Sequence, residues 1–178
     1  MLNRQEIKEL IEKQNLISDY IDLETQLAPH GFDLTVGSIY EFDSQGALDF
    51  SNKERIIPDG KIILPQKKTL KDKFGWWNLK KSAYRVRTNE TVNMPDNLAA
   101  LAFSRSSLLR IGAFTQNAVW DAGFKGKSEF ILVIENPKGI MLKQNARIAQ
   151  LIFTKINKTD KIYGGIYQER KRSEDICR

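Results

Sequence analysis

The chain has 178 residues, of which 41% are hydrophobic and 28% charged, enough for one domain with a buried core. No apolar run approaches the roughly 18–20 residues that span a bilayer, and the N-terminal stretch lacks the apolar region of a secretory signal, which predicts a cytoplasmic protein. One histidine, His30, and one cysteine, Cys177, exclude a zinc site built from Cys and His within the chain. The net charge of +6 favours an anionic partner, whether nucleic acid, acidic membrane or a phosphorylated small molecule.

The first predicted element is an amphipathic helix over residues 3–14. Asn3 is placed to cap it, and Glu6 to reach back to the cap as in a capping box. Its apolar stripe consists of Ile7, Leu10 and Ile11. We expect this to be the one long helix of a single domain spanning residues 1–178.

The rest of the chain is typical of short strands, rich in β-branched and aromatic residues and separated by Gly, Pro, Asn or Asp. The predicted strands are 32–36, 39–42, 61–64, 84–88, 98–103, 117–120, 129–135, 139–142 and 147–156. Residues 130–134 are apolar on both faces, which indicates a strand buried between two sheets. Short strands without βαβ alternation predict a mainly β fold, a sandwich, jelly roll or distorted barrel.

Residues 67–81 interrupt this pattern with six lysines around Phe74, Trp76 and Trp77. Basic residues interleaved with aromatics can bind single-stranded nucleic acid. We favour the alternative, an inserted hairpin whose tryptophans pack on the body or on a neighbouring subunit, because Trp is commonly buried at interfaces.

Two segments in the first two thirds of the chain carry candidate functional residues. Asp33 begins a strand in PHGFDLTVG (29–37), where an Asp after a turn is ordinarily a turn or cap residue. The segment SRSSLLRIG (104–112) places three hydroxyls and two guanidiniums together. Such groups bind phosphate oxygens, although the same residues also suit a polar turn followed by one turn of helix.

Three later segments complete the set. In NAVWDAGFKGK (117–127), Asp121 is flanked by aromatics and glycines, as in a hairpin that binds a flat ligand, or simply in a structural turn. In NARIAQLIF (145–153), Arg147 and Gln150 interrupt an apolar run, which also suits an edge strand. The C-terminal segment 163–178 is either a closing flap or a flexible basic end.

The order of these motifs resembles the successive motifs of the dUTPase/dCTP deaminase family over nearly the whole chain. The leading helix and the approach TNETVNMPDNL (88–98) are similar to the deaminase-like branch, and RIAQL (147–151) is the most specific single match. The resemblance implies a distorted β-barrel or jelly roll, assembled as a homotrimer with active sites between subunits. It also implies hydrolysis of dUTP to dUMP and pyrophosphate.

By the same resemblance, Asp121 would activate a water for attack on the α-phosphate, and Asp33 would hold the water shell of a Mg²⁺ ion that arrives with the triphosphate. Phe124 would pack on the deoxyribose, and the backbone of the 117–121 hairpin would read the uracil. The substrate-binding residues implied are Ser104, Arg105, Ser106, Ser107, Arg110, Asn117, Trp120, Phe124, Arg147, Gln150, Tyr163, Tyr167 and Gln168.

One departure separates hydrolysis from deamination. In the deaminases a catalytic Glu lies five residues after the last glycine of the hairpin, a position occupied here by Ile131. An alkyl group cannot shuttle protons during attack on cytosine, and Glu129 or Glu135 would substitute only in a shifted strand register. The alternatives are therefore a dCTP deaminase or bifunctional enzyme, and a non-catalytic nucleotide- or nucleic-acid-binding protein on the same scaffold, with a nucleic-acid partner disfavoured.

Overall fold

Strands dominate the computed structural model, which describes residues 1–169 and leaves Cys177 and the rest of the basic end outside the described residues. The helices are α1 (Arg4–Gln14), α2 (Leu23–Gln26) and α3 (Ser106–Arg110). The strands are β1 (Ile17–Ser18), β2 (Leu27–Ala28), β3 (Gly31–Glu41), β4 (Lys61–Ile63), β5 (Trp76–Leu79), β6 (Ser82–Asn93), β7 (Leu98–Ser104), β8 (Ala113–Gln116), β9 (Lys125–Ile134), β10 (Ile140–Lys143) and β11 (Arg147–Lys155). No helix within residues 1–169 is long and apolar enough to cross a membrane.

The main sheet runs in the order β7-β11-β3-β6-β9-β8 and is nearly closed into a barrel. Its two ends meet where the Ser104 hydroxyl accepts a hydrogen bond from the backbone N–H of Thr115 at 2.8 Å. Ala100 and Trp120 form a further backbone bridge beside this contact. The mainly β, barrel-like fold predicted from the sequence is confirmed.

The N-terminal helix has the capping box that its sequence predicts. Asn3 accepts from the backbone N–H of Glu6 while the Glu6 carboxylate accepts from the backbone N–H of Asn3. Ile7 and Ile11 are buried against the barrel, so the apolar stripe attaches the helix to the core.

Two predicted strands, 32–36 and 39–42, are one continuous strand, β3. Its first half pairs with β11 and its second half with β6, with a register shift between Val36 and Ser38. Gly37 lies at this irregularity, where a Cβ would come within 2.9 Å of the Asn89 side-chain oxygen. The glycine that suggested a break between strands is needed for this close approach.

Two further predictions were wrong. Residues 117–120 do not form a strand but leave the sheet after a single bridge at Trp120, because the chain turns there around a cavity. Nor is β9 buried on both faces. Phe130, Leu132 and Ile134 face the core, whereas Glu129, Ile131 and Val133 are only half-buried, and Glu129 and Ile131 line that cavity.

The basic segment 67–81 contributes strand β5, which pairs with β10 in a separate two-stranded sheet. Trp77 is 2% exposed and donates its indole N–H to the Ile63 carbonyl at 2.7 Å. Trp76 is half-buried, with the ammonium groups of Lys68 and Lys143 at 4.7 and 5.5 Å from its ring centroid. Trp77 therefore packs on the body of the protein, as the favoured interpretation expected. Trp76 instead contacts the ammonium groups of Lys68 and Lys143.

These two neighbours make a matched pair for a stability test. We expect Trp77→Ala to lower the free energy of unfolding by about 3–5 kcal/mol, because it empties a buried aromatic site. Trp76→Ala should cost about 1 kcal/mol or less, the scale of exposed cation–π contacts. Urea unfolding at equal chain concentration measures both, and equal small losses would show that the segment is not anchored through Trp77.

Candidate functional site

A cavity of about 540 Å³ lies between the 118–121 loop, strand β9 and the loop that follows β3. Asp121, Phe124 and Ile131 line it on one side, and Tyr163 and Tyr167 on another. Trp120, Asp121 and Phe124 of the predicted base and sugar site thus line one concave space, whereas Asn117 does not. A cavity with apolar walls and few polar groups is typical of small-molecule sites.

Local hydrogen bonds hold the Asp121 turn in shape. The Asp121 carbonyl accepts from the N–H of Phe124 at 3.1 Å, and Gly123, at a φ of +83°, completes the turn. The buried Trp120 indole donates to the Ser128 hydroxyl at 2.7 Å. Trp120 therefore anchors the turn in the barrel and leaves the exposed Asp121 side chain at the cavity mouth.

The described part of the tail folds onto this turn. The Gln168 side chain accepts from the N–H of Lys125 at 3.0 Å and donates to the Gly123 carbonyl at 2.9 Å. The Tyr163 ring meets Phe124 edge to face, with centroids 5.5 Å apart. The tail residues predicted to bind substrate are thus placed beside the cavity and against their own chain's hairpin.

The carboxylates that could replace a catalytic Glu at position 131 are separated by the structure. Glu135 follows the end of β9 and pairs with Lys81 at 2.6 Å, both side chains being exposed. Glu129 does line the cavity beside Ile131, but its carboxylate forms ion pairs with Arg85 and Arg87 at 3.6 and 3.8 Å. The cavity therefore contains a carboxylate that is already engaged by two buried arginines.

A second group of predicted residues centres on Asp33. Its carboxylate oxygen Oδ2 lies 3.2 Å from the Nε atom of Arg105 and 3.2 Å from a terminal nitrogen of Arg147. The same Arg147 nitrogen donates to the Thr25 carbonyl at 2.6 Å. Gln150 stands directly opposite Asp33 in the pairing of β11 with β3. One carboxylate thus fixes two guanidiniums at the start of α3 and of β11.

The pKa of Asp33 is raised above its ordinary value because burial disfavours the charged carboxylate. The positive charges of Arg105 and Arg147 oppose this and favour the ionised form. Asp33 is 3% exposed, so its ion pairs are shielded from solvent screening far better than surface pairs. Its predicted contact with metal-bound water stays a prediction.

The remaining residues of the Ser-rich motif take different positions. Ser104 bonds to Thr115 and closes the barrel, so its hydroxyl is structural in this chain. Ser106, Ser107 and Arg110 are exposed on the short helix α3. Asn117 donates to Thr115 and Ala102, but its oxygen is buried without a hydrogen-bond partner among residues 1–169. Asn117 does not line the cavity, so its predicted contact with the base stays a prediction.

Sequence reasoning missed the far wall of the cavity. Phe42 and Ile57 line it from the 42–60 loop, and Arg85 from β6. Arg85 holds this loop by donating to the Pro58 carbonyl at 2.6 Å while its guanidinium lies 4.8 Å from the Tyr40 ring centroid. No local motif marks Phe42 or Ile57, because long-range contacts place their loop at the cavity.

The two groups do not share one space within this chain. The residues that line the cavity include none of the Ser-rich motif, nor Asp33, Arg147 or Gln150. Among the described residues, no three carboxylate, histidine or cysteine side chains lie together as a metal-binding cluster. A triphosphate nucleotide would need both groups, since one suits its base and sugar and the other its phosphates.

The chain is similar to proteins of one family along most of its length. A family model described as dCTP deaminase-like matches residues 1–156. A probable deoxyuridine 5'-triphosphate nucleotidohydrolase of Methanosarcina mazei is 45% identical over 170 residues, covering 94% of this chain and 96% of that protein. A dUMP-forming dCTP deaminase of Persephonella marina is 35% identical over 176 residues, covering 96% and 93%. A solved 2'-deoxycytidine 5'-triphosphate deaminase from Agrobacterium tumefaciens shares the fold, with a TM-score of 0.59 at 20% identity over 88% of this chain and 47% of that chain.

The Asp33 ion pairs predict a measurable titration effect. Arg105→Ala removes the largest opposing charge, so the pKa of Asp33 should rise further above its ordinary value. The chemical shift of the Asp33 carboxyl carbon, followed by NMR as a function of pH, measures this. Arg110→Ala is the control, because it removes an equal charge from the exposed face of α3. An equal shift in both variants, or none in Arg105→Ala, would contradict the pairing.

Proposed function

Because the chain belongs to the dCTP deaminase-like family, we propose that it is a dUTP diphosphatase, which hydrolyses dUTP to dUMP and pyrophosphate. The observation that carries this choice is the cavity itself, which has Asp121 at its mouth and an alkyl side chain, Ile131, at the position of the deaminase carboxylate. Asp121 can accept a proton from water, whereas Ile131 can move no proton.

In this proposal the nucleoside occupies the cavity. The turn backbone reads the uracil, and Phe124 packs on the deoxyribose, leaving no room for a 2'-hydroxyl. Asp121 accepts a proton from the water that attacks the α-phosphate, and pyrophosphate leaves. Tyr163 and Tyr167 cover the cavity and exclude bulk water, which strengthens every charged contact inside it.

The phosphates bind the second group of residues. Arg105, Arg147 and Arg110 supply charge-assisted hydrogen bonds, with hydroxyls from Ser106 and Ser107. Since Asp33 holds two of these guanidiniums in place, their geometry is preorganised before substrate arrives. Gln150, opposite Asp33, supports the same side of the site.

Magnesium enters this proposal as part of the substrate, complexed to the triphosphate. The described residues do not fit a resident metal, because Asp33 is engaged by two arginines and no carboxylate cluster accompanies it. Mg²⁺ usually retains several waters and is bound through substrate phosphates, where it neutralises charge. A cytoplasmic location likewise stays a prediction.

We further propose a homotrimer, in which the arginine group of one subunit completes the cavity of the next. The separation of the two groups within one chain supports this arrangement. Large apolar side chains are also exposed within the Ser-rich motif and on the strands before and after it, namely Leu101, Phe103, Leu109, Ile111 and Phe114. Exposed apolar side chains grouped in this way are typical of a protein interface.

The second candidate function is deamination of dCTP, alone or together with hydrolysis. Glu129 lines the cavity and the Persephonella marina relative is named a deaminase, and both observations favour it. The ion pairs of Glu129 with Arg85 and Arg87 argue against deamination. A carboxylate that shuttles protons must take up a proton, and two neighbouring guanidiniums favour its ionised form instead.

Asp121→Asn tests the hydrolytic role directly. It keeps the shape of the side chain but removes the proton acceptor, so kcat for dUTP should fall about 10²- to 10⁴-fold. Pyrophosphate release by the purified protein with Mg²⁺, with dUTP affinity measured separately, provides the readout. Near-normal turnover with normal binding would remove Asp121 from the mechanism.

The same preparation incubated with dCTP should release no ammonia and form neither dUTP nor dUMP. If product appears and Glu129→Gln abolishes it, the chain is a deaminase. It is then bifunctional if it also hydrolyses dUTP. If both nucleotides are inert, both enzymatic functions fail and the chain is a binding protein on this scaffold.

The trimer has its own test. Phe103, 58% exposed on β7, should become buried between subunits, so Phe103→Asp should dissociate the assembly and abolish dUTP turnover. Light scattering with detection of mass measures the change. Leu70→Asp, at a side chain 101% exposed within the basic segment, is the control and should leave the mass unchanged. An active wild-type monomer would contradict the shared site.

A further inference from the structure

A carboxylate that the proposed mechanism does not use is fully buried behind the phosphate-binding group. Glu90 is 0% exposed and lies on β6 at the irregularity between Arg87 and Thr91. Burial raises its pKa above the ordinary value, opposed by hydrogen bonds from Thr35 and Gln26. Burying a carboxylate costs free energy unless hydrogen bonds compensate it. The groups that donate these bonds to Glu90 therefore show which segments it holds together.

Donors converge on both oxygens of Glu90. Oε1 accepts from the Thr35 hydroxyl at 2.6 Å and from the Gln26 amide at 2.7 Å. Oε2 accepts from the backbone N–H of Thr35 at 3.0 Å. A carboxylate accepts at both oxygens, whereas a carboxamide in its place would turn an N–H toward one of these donors.

Gln26 connects this carboxylate to the strand that carries Asp33. Its side-chain amide donates both to Glu90 and to the Asp33 backbone carbonyl, the latter at 2.9 Å. Its side-chain oxygen accepts from the N–H groups of Ile21 and Asp22 at 2.7 and 3.1 Å. Glu90 thereby fixes β3 at Asp33 and also the segment that ends in α2.

Both acceptors of Arg147 lie on these two fixed segments. The Asp33 carboxylate is on β3, and the Thr25 carbonyl is next to Gln26 in α2. We propose that Glu90 is a positioning residue, which acts through Gln26 and Thr35 to hold the two acceptors that aim the Arg147 guanidinium at substrate phosphates. This inference rests on the proposed function for its kinetic consequence, because Arg147 is placed on the phosphates there.

The kinetic test is a double-mutant cycle. Glu90→Gln should raise KM for dUTP roughly tenfold, a coupling within the usual range for residues of one network, and change kcat less than about twofold. In an Arg147→Ala background the same substitution should change KM less than about twofold. If the KM of the double variant rises by the product of the two single-variant effects, Glu90 and Arg147 act independently and the proposal is overturned.

A ligand-free measurement separates this inference from the proposed function. Arg147 guanidinium protons, assigned by their loss in Arg147→Lys, should exchange with water about tenfold faster in Glu90→Gln, because their acceptors have lost support. If the wild type fails to hydrolyse dUTP, the proposed function falls and this exchange rate still judges Glu90. Unchanged Arg147 exchange would overturn the positioning role whatever the activity.

Stability and folding are controlled separately. Ile7→Val trims the buried face of α1 and should lower the melting temperature without altering KM or Arg147 exchange. If Glu90→Gln does not fold, Gln26→Met replaces it, since this side chain has similar length but cannot donate to Glu90 and Asp33. It should reproduce both effects, and normal KM with normal exchange would refute the relay.

Discussion

The ion pairs of Asp33 are the interaction on which the rest of the site depends. One buried carboxylate joins β3 to the start of α3 through Arg105 and to the start of β11 through Arg147. If one arginine is removed, part of the buried Asp33 charge is left uncompensated. The free-energy cost of that charge exceeds the stabilisation that the ion pair itself provides. The positions of Arg105 and Arg147 are therefore coupled to the integrity of the sheet.

This coupling explains why polar groups accumulate at the centre of an apolar barrel. Asp33, Thr35, Gln26 and Glu90 are all buried, and each accepts or donates to another segment of the chain. A buried polar network confers rigidity when its members are satisfied and is costly when one is missing. The Asp121 turn, in contrast, is held by short local hydrogen bonds and by the Trp120 anchor, and its Asp121 side chain is exposed.

The sequence predicted what local chemistry determines. The Asn3–Glu6 capping box, the mainly β fold and the grouping of Asp121 with Phe124 each rest on residues only a few positions apart. The partners of Glu90 are 55 and 64 positions away, and no periodicity or motif connects them.

Other parts of the cavity could not be predicted from the sequence either, because contacts between distant positions place them. Phe42 and Ile57 line the cavity from a loop that Arg85 contacts at Pro58, 27 positions away. The prediction of a strand over 117–120 was wrong because apolar residues that surround a cavity have the composition of residues that fill a sheet.

The Gln168 contacts have a consequence for assemblies of unequal chains. Gln168 binds the hairpin of its own chain, so in the proposed trimer each cavity would be covered by the tail of the subunit that supplies its Asp121. A trimer that mixes intact chains with chains shortened before Tyr163 would lose its covered cavities one at a time. In that proposed trimer, damage to one tail would leave the neighbouring cavities closed, whereas the loss of an arginine would act on the cavity of the neighbouring subunit.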